Sequence, residues 1–162
     1  MSRARTVAAL VAVVLLLAPI FAAGVPPLSD FVNHLARAHV LAHLGESAAY
    51  QSAYASAWGP YPNLAFDLVV VPLAGAIDVV AAGKTFLAMT VLVWCAGCHA
   101  LGLAALGRPS FRAAAASFFV MCEPFLLGYA NFTFGVGVAL SATACLIRAR
   151  RAERPGRWLA TA

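Results

Sequence analysis

Long apolar runs separated by short polar connections are the dominant pattern of this chain. Four of them approach the roughly 17 to 25 residues that a helix needs to cross the hydrocarbon core of a bilayer. They cover residues 7–23, 85–106, 113–129 and 132–147. A fifth run, 64–77, is short for a crossing and contains Asp67 and Pro72. The pattern predicts an all-α fold, a polytopic transmembrane bundle of about four helices in a single membrane domain over residues 1–162.

The longest connection, residues 24–84, contains an amphipathic pattern. Ser29 or Asp30 is suited to cap a helix that extends to about Leu44, where a glycine follows. One stripe along that helix is apolar and consists of Phe31, Leu35, Ala38 and Ala42. We therefore expect a helix that lies in the membrane interface.

Composition supports a membrane protein. Hydrophobic residues make up 63% of the chain and charged residues only 10%, with a mean hydropathy of +0.87. A soluble domain carries about 25% charged residues, so this chain has too few to cover a water-facing surface. A soluble enzyme, a disordered chain and a disulfide-rich secreted module are excluded on this basis.

The distribution of basic residues predicts the orientation in the membrane. If the run 64–77 does not cross, nine of the eleven basic residues lie on one side of the bilayer. The positive-inside rule assigns that side to the cytoplasm. Both termini are then cytoplasmic, segment 24–84 is extracytoplasmic, and the run 64–77 lies on or dips into the outer face. The net charge is +5, and we expect the basic residues to interact with the lipid bilayer and not with nucleic acid.

Polar residues on one flank of the outer helix are candidates for chemistry. Asp30, His34 and Arg37 follow one another at i, i+4 and i+7, and residues at this spacing contact each other on a helix. A nearby cation keeps a carboxylate ionised. Asp30 is therefore a candidate base or electrostatic stabiliser whose charge and orientation His34 and Arg37 control. The alternative is that these residues are simply the solvated flank of an interfacial helix.

Four further polar residues are candidates for the same outer site. Tyr61 lies in a turn rich in aromatic residues, Gly and Pro, where it stacks on a sugar or anchors the chain at headgroup level. Asn63 is suited to cap the next short helix. Glu123 is the only acid within the predicted spans, either functional or neutral and hydrogen-bonded inside the bundle. Pro124 should bend the helix that carries it. Asn131 follows in the next outer turn.

Two cofactor alternatives arise from histidine and cysteine. The second flank of the outer helix and its end carry His39, His43 and Glu46. They are weak candidates for a divalent metal, because H-x3-H places two imidazoles on one face but no complete ligand set is evident. Cys95, Cys98 and His99 match the C-x-x-C-H pattern of haem attachment. Because they lie in mid-span, packing of small and soft residues explains them more simply, and we expect no cofactor.

Three short motifs together resemble a known family. They are Pro-Pro-Leu-Ser-Asp-Phe-Val-Asn-His-Leu-Ala-Arg at 26–37, Tyr-Pro-Asn-Leu-Ala-Phe-Asp at 61–67 and Gly-Tyr-Ala-Asn-Phe-Thr-Phe-Gly at 128–135. The first motif follows the first span, and the other two come later in the chain. In this order they resemble the N-terminal part of bacterial polytopic proteins related to the C superfamily of glycosyltransferases. Members typically have many more spans than four, so the resemblance implies an N-terminal module or a truncated form.

The resemblance also implies an activity and a location. A sugar would be transferred from a polyprenyl-phosphate-linked donor at the outer face of the bacterial inner membrane, with Asp30 as the catalytic carboxylate. His34 and Arg37 would position Asp30 or contact the lipid phosphate. The remaining residues of the implied substrate site are Tyr61, Asn63, Glu123 and Asn131.

Two alternatives stay open. The chain is also compatible with a non-catalytic small membrane protein that packs against a membrane-protein partner through its short spans and small-residue faces. The first run, after Arg3 and Arg5, also has the basic start and the small residues at 22–24 that are typical of a cleavable signal peptide.

Overall fold

The structure is a computed structural model that describes residues 3–153. Within that range all regular secondary structure is helical, which confirms the all-α prediction. The helices are α1 (Arg3–Ala22), α2 (Phe31–Ala42), α3 (Ala48–Ala53), α4 (Ala65–Ala74), α5 (Val79–Leu106), α6 (Phe111–Ser117), a 3-10 helix (Phe118–Met121), α7 (Glu123–Leu126) and α8 (Ala130–Glu153).

Two of the described helices are long and apolar enough to cross a membrane. They are α5, with 28 residues, and the Ala130–Ala152 part of α8, with 23 residues. At a rise of about 1.5 Å per residue each exceeds the roughly 30 Å of a hydrocarbon core. They contain the predicted spans 85–106 and 132–147. The apolar part of α1, Ala9–Ala22, and all of α4 are shorter.

The two long helices pack closely and run in the same direction. Near one end the rings of Phe86 and Phe134 lie 5.4 Å apart, and near the other end Arg151 Nη2 donates to the Ala105 carbonyl oxygen at 3.0 Å. Between these contacts Gly97 and Gly137 face each other, and a Cβ on Gly97 would lie 2.6 Å from the Gly137 carbonyl oxygen. Because glycine has no side chain, the two helix backbones can approach each other this closely, as in many pairs of membrane helices.

The predicted span 113–129 is not a continuous helix. The segment runs back along α5, where Gly102 contacts Ala113 and the Trp94 indole N–H donates to the Ala116 carbonyl. Regular α-helix ends at Ser117, a 3-10 turn follows, and Cys122 is extended with ψ 168°. Pro124 stands in the first turn of α7. Proline lacks an N–H, and its ring clashes with the backbone carbonyl of the residue four positions earlier. The bend expected at this proline is therefore a complete break of the helix.

The bundle has two chemically different ends. At one end, α1 finishes beside α5, with Lys84 Nζ donating to the Ala23 carbonyl at 2.6 Å. Helices α2 and α4 pack on α5 at this same end. The opposite end, which we call the basic end, contains the turn from α5 to α6 and the last turns of α8. The basic residues of that turn, of the start of α6 and of those last turns are Arg108, Arg112, Arg148, Arg150 and Arg151.

Helix α2 ends at Ala42, two residues before the predicted end, and its apolar stripe is covered by protein. Phe31, Leu35 and Ala38 are buried. The Phe31 ring meets Phe66 of α4 edge to face at 6.2 Å, and Gly83 of α5 lies against Phe31 and Leu35. The stripe therefore fixes α2 to the bundle, and Phe31, Leu35 and Ala38 face protein.

Apolar side chains cover much of the outside of the bundle. Only 33% of the apolar window of α5 and 28% of that of α8 are buried inside the protein. Helix α1 likewise leaves Leu10, Val14 and Leu15 more than half exposed. The core helix of a soluble protein is mostly buried, whereas these two helices expose most of their apolar windows, as helices that contact lipid do.

Candidate functional site

The backbone of Asp30 is held by the first turn of α2 and by a distant turn. Its backbone N–H donates to the Leu127 carbonyl at 2.9 Å. The turn after α7 approaches closely because Gly128 has φ +88° and lacks a side chain, so that a Cβ there would lie 2.8 Å from the Asp30 nitrogen. Asp30 occupies the N-cap position of α2, yet its side chain does not bond the helix backbone. The carboxylate is instead available to neighbouring side chains.

Those neighbours are the ones that the helical spacing predicts. Asp30 Oδ2 lies 3.0 Å from His34 Nε2, and Oδ1 accepts a hydrogen bond from the Asn33 side-chain amide at 3.2 Å. On the other side of the imidazole ring, Arg37 Nη2 lies 3.1 Å from His34 Nδ1. The predicted grouping of Asp30, His34 and Arg37 is thus present in the fold.

This geometry determines the tautomer of His34. A guanidinium only donates hydrogen bonds, so Nδ1 must accept from Arg37 and carries no proton. The ring proton then sits on Nε2 and is donated to the Asp30 carboxylate. His34 is a neutral ring between a cation and an anion, and a second proton on Nδ1 would break its bond to Arg37.

Asp67 of α4 completes the arrangement, although the sequence pattern predicts no role for it. Its Oδ1 accepts from Arg37 Nε at 3.1 Å and from Arg37 Nη2 at 3.0 Å. The Asp67 side chain is 5% exposed, whereas that of Arg37 is 47% exposed. The four side chains form one connected chain, which we call the polar chain: Asp30, His34, Arg37 and Asp67. The signal in the sequence that points to Asp67 is its position as an ionisable residue inside the apolar run 64–77.

Asn131 positions the helix that carries Asp67. Its Oδ1 accepts from the Phe66 backbone N–H at 2.7 Å. The N-cap residue of α4, Leu64, has no side chain that bonds these amides, so Asn131 of α8 serves as a cap from outside the helix. Asn131 Nδ2 is buried without a hydrogen-bond partner. The hydrogen bond that Asn131 makes therefore stabilises the start of α4, and Asn131 does not line the groove beside Asp67.

A groove of about 550 Å³ opens beside the polar chain. One wall consists of Val40 and Leu41 of α2 with Leu44 just after the helix, and the other is the segment 54–58, which contributes Tyr54 and Trp58. Arg37 and Asp67 also line the groove. It therefore combines an ion pair with aliphatic and aromatic walls.

Burial shifts the titration of His34. Desolvation is the main cause that lowers its pKa below the ordinary value of 6.5, and Arg37 acts in the same direction. Asp30 and Asp67 oppose the shift by attracting the protonated form. The net direction favours the neutral ring that the hydrogen bonds require.

We expect a specific pH dependence of stability from His34. Because its pKa is lower in the folded protein, the unfolded chain binds the proton more readily as the pH falls below 6.5. The contribution of His34 to the free energy of unfolding is full above that pH, decreases below it, and levels off beneath the lowered pKa. Thermal unfolding in detergent from about pH 5 to pH 8 measures this dependence. The variant His34→Gln should show a flatter profile, and an unchanged profile would contradict the assignment.

Three other predicted substrate residues do not join the polar chain or the groove lining. Tyr61 is 59% exposed. Asn63 is exposed in a left-handed conformation with φ 64°, and Leu64 takes the N-cap position that was expected for Asn63. Glu123 is exposed in the first turn of α7, directly after the break in the predicted span.

The cofactor candidates are separated from the polar chain. His39 and His43 stack with ring centroids 4.4 Å apart, and His43 Nδ1 bonds the His39 carbonyl. Among the described residues, no group of three or more His, Cys, Asp or Glu is arranged to hold a metal ion. Cys95, Cys98 and His99 lie on the uninterrupted helix α5, where Gly97 between them packs against α8.

Comparisons of the chain with protein-family models, with curated proteins and with solved structures find no match. The assignment of a function therefore depends on the residues and geometry described above.

Proposed function

We propose that this chain is part of a bacterial inner-membrane protein of the glycosyltransferase C type that binds a polyprenyl-phosphate-linked sugar at the outer face. The observation that carries the proposal is the polar chain beside an apolar and aromatic groove. Asp30, His34 and Arg37 belong to the first of the motifs that resemble the family, and Asp67 ends the second. The groove offers both surfaces that an amphiphilic donor needs.

The proposed orientation in the membrane follows the charge distribution. Helices α1, α5 and α8 and the broken segment 111–126 cross the bilayer in this proposal, with the basic end in the cytoplasm. Arginine and lysine concentrate on the cytoplasmic side of membrane proteins. The polar chain then lies at the extracytoplasmic end. A broken helix at membrane depth is tolerated where neighbouring protein covers its backbone, and Val120 and Phe125 of that segment are buried.

The donor is proposed to bind with its phosphate at Arg37. Half of the Arg37 side chain is exposed, and arginine is well suited to phosphate oxygens. The isoprenoid chain then contacts the aliphatic wall of the groove, and the aromatic wall is available to the sugar. Asp30 and Arg37 are seven residues apart on α2, about 10 Å along the axis. A sugar attached to a phosphate at Arg37 can therefore extend towards Asp30.

Asp30 is proposed as the general base. As the acceptor oxygen bonds to the sugar C1 atom, its proton passes to the Asp30 carboxylate, and the bond from C1 to the phosphate oxygen breaks. The leaving phosphate keeps that electron pair next to the Arg37 cation. His34 donates to Asp30 and so fixes the position of its carboxylate. Asp67 acts through Arg37 as a positioning residue.

The decisive test replaces the carboxylate. In proteoliposomes supplied with a radiolabelled polyprenyl-phosphate-linked hexose, Asp30→Asn should reduce release of the lipid phosphate at least about 100-fold, because the general base is lost. A matched control is Asp78→Asn. Asp78 caps α5 by accepting from Val80 N–H and Ala81 N–H, and asparagine caps about equally well.

Binding separates the donor site from the chemistry. Native mass spectrometry with polyprenyl phosphate alone should show weaker binding to Arg37→Gln and retained binding to Asp30→Asn. Full transfer by Asp30→Asn would refute the base assignment. Equal lipid binding by Arg37→Gln and the unaltered chain would refute the donor site.

A further inference from the structure

A second groove, of about 660 Å³, lies at the opposite end of the fold from the polar chain. Helices α1 and α6 both pack on α5, and the groove runs between them. Its apolar walls include Val11, Leu15, Ala114 and Phe118. Leu15 is 60% exposed, so the walls are open to whatever surrounds the bundle.

One end of this groove is formed by the turn between α5 and α6 and the first residue of α6. Pro109, Ser110 and Phe111 line it there, in the turn at the basic end. Arg108 and Arg112 flank these three residues in sequence, and both are exposed. The turn from 107 to 112 contains no acidic residue. Two exposed cations thus directly adjoin the residues that line this end of the apolar groove.

His99 contributes a polar group to the same lining. It lies on α5, seven residues before the helix ends at Leu106, and is exposed in the groove. This is about 10 Å from the helix end along the axis. An imidazole at that depth can bond the ester region of a lipid, between a phosphate at the helix end and acyl chains deeper in the membrane.

We propose that this groove is a binding site for an anionic phospholipid. The phosphate lies at Arg108 and Arg112, His99 contacts the glycerol ester region, and one acyl chain lies between Leu15 and Phe118. Charge complementarity selects this occupant, because basic pockets between membrane helices on the cytoplasmic side bind anionic headgroups. The site is at the other end of the bundle from Asp30 and does not depend on the proposed sugar transfer.

The headgroup contact is tested by lipid competition. The chain is released from nanodiscs containing equal amounts of phosphatidylglycerol and phosphatidylcholine, and the retained lipid is counted by native mass spectrometry. The unaltered chain should retain phosphatidylglycerol preferentially. The double variant Arg108→Gln/Arg112→Gln should lower that preference by about 10- to 30-fold, as expected for the loss of two lipid-facing cations.

A charge-matched control distinguishes a site from general surface charge. Arg148→Gln/Arg150→Gln removes two exposed cations from the same end of the bundle, on α8 instead of beside the groove. It should lower the preference much less. An equal loss in both double variants would overturn the proposal, since the basic end would then attract lipid without a defined groove.

The acyl-chain contact is tested by filling the groove. Ala114→Leu places a larger side chain on the groove wall, and Ala139→Leu makes the same change at an exposed position of α8. Only Ala114→Leu should reduce the number of retained lipids, with both variants melting like the unaltered chain. If Ala114→Leu instead dissociates a dimer and leaves lipid retention unchanged, a second copy occupies the groove and the proposal is wrong.

Discussion

Replacement of Gly137 by alanine is expected to lower the free energy of unfolding by about 1–3 kcal/mol, the usual effect of overpacking a close contact. A Cβ at this position would lie 2.8 Å from the Trp94 backbone nitrogen and 3.0 Å from the Trp94 Cα. Backbone atoms of α5 cannot rotate away as a flexible side chain does. Helices α5 and α8 must therefore separate, and their contact along most of both helices weakens.

Gly135 provides a control on the same helix. Nothing lies within 4 Å of a Cβ built there, and alanine favours a helix over glycine by up to about 1 kcal/mol. Gly135→Ala should leave stability unchanged or raise it slightly. Unfolding in mixed detergent micelles, followed by circular dichroism, measures both variants. Equal effects would show that helix propensity, and not close packing, determines stability here.

The second large effect is expected at the ion pair of the polar chain. Arg37→Met keeps much of the aliphatic stem but removes the cation. The Asp67 carboxylate, whose side chain is 5% exposed, then has lost its arginine partner. Leaving a buried acceptor unsatisfied costs about 1–3 kcal/mol. The same unfolding measurement should detect this loss, while Arg148→Met at the basic end should change stability by less than about 0.5 kcal/mol.

A double variant separates loss of the cation from loss of packing. In Arg37→Met/Asp67→Leu the carboxylate is absent as well, so no unpaired charge is left at the buried Asp67 position. Replacement of an ion pair by apolar residues is often neutral or stabilising. Most of the stability lost in Arg37→Met should return. If the double variant is as unstable as the single one, the effect of Arg37 comes from its packing and the electrostatic account fails.

Part of the polar chain could be predicted from the sequence because its members are local. Asp30, His34 and Arg37 belong to one helix, and helical geometry places residues three or four apart next to each other. The bonds Asp30 to His34 and His34 to Arg37 follow from that spacing. Asp67 is 30 residues from Arg37, and no periodic pattern relates two positions on separate helices.

Asn131 is a residue whose importance the sequence predicted but whose partner it did not. Its position in a turn suggested a place beside a substrate. In the structure it accepts from the Phe66 N–H across 65 residues of chain. An asparagine side chain bonds either a ligand or a backbone amide, and only the docking of α4 against α8 decides between them.

The sequence by itself determined the all-helical class, the long apolar helices that contain two of the four predicted spans, 85–106 and 132–147, and the stripe and polar flank of α2. Each depends on chain length, residue type or a period of 3.6, which act within a few turns of one helix. The tertiary structure decided that the α2 stripe packs against α4 and α5, that Arg37 pairs with Asp67, and that an aromatic groove opens beside them. These features come from side-chain packing between segments distant in sequence, and local periodicity does not encode which segments meet.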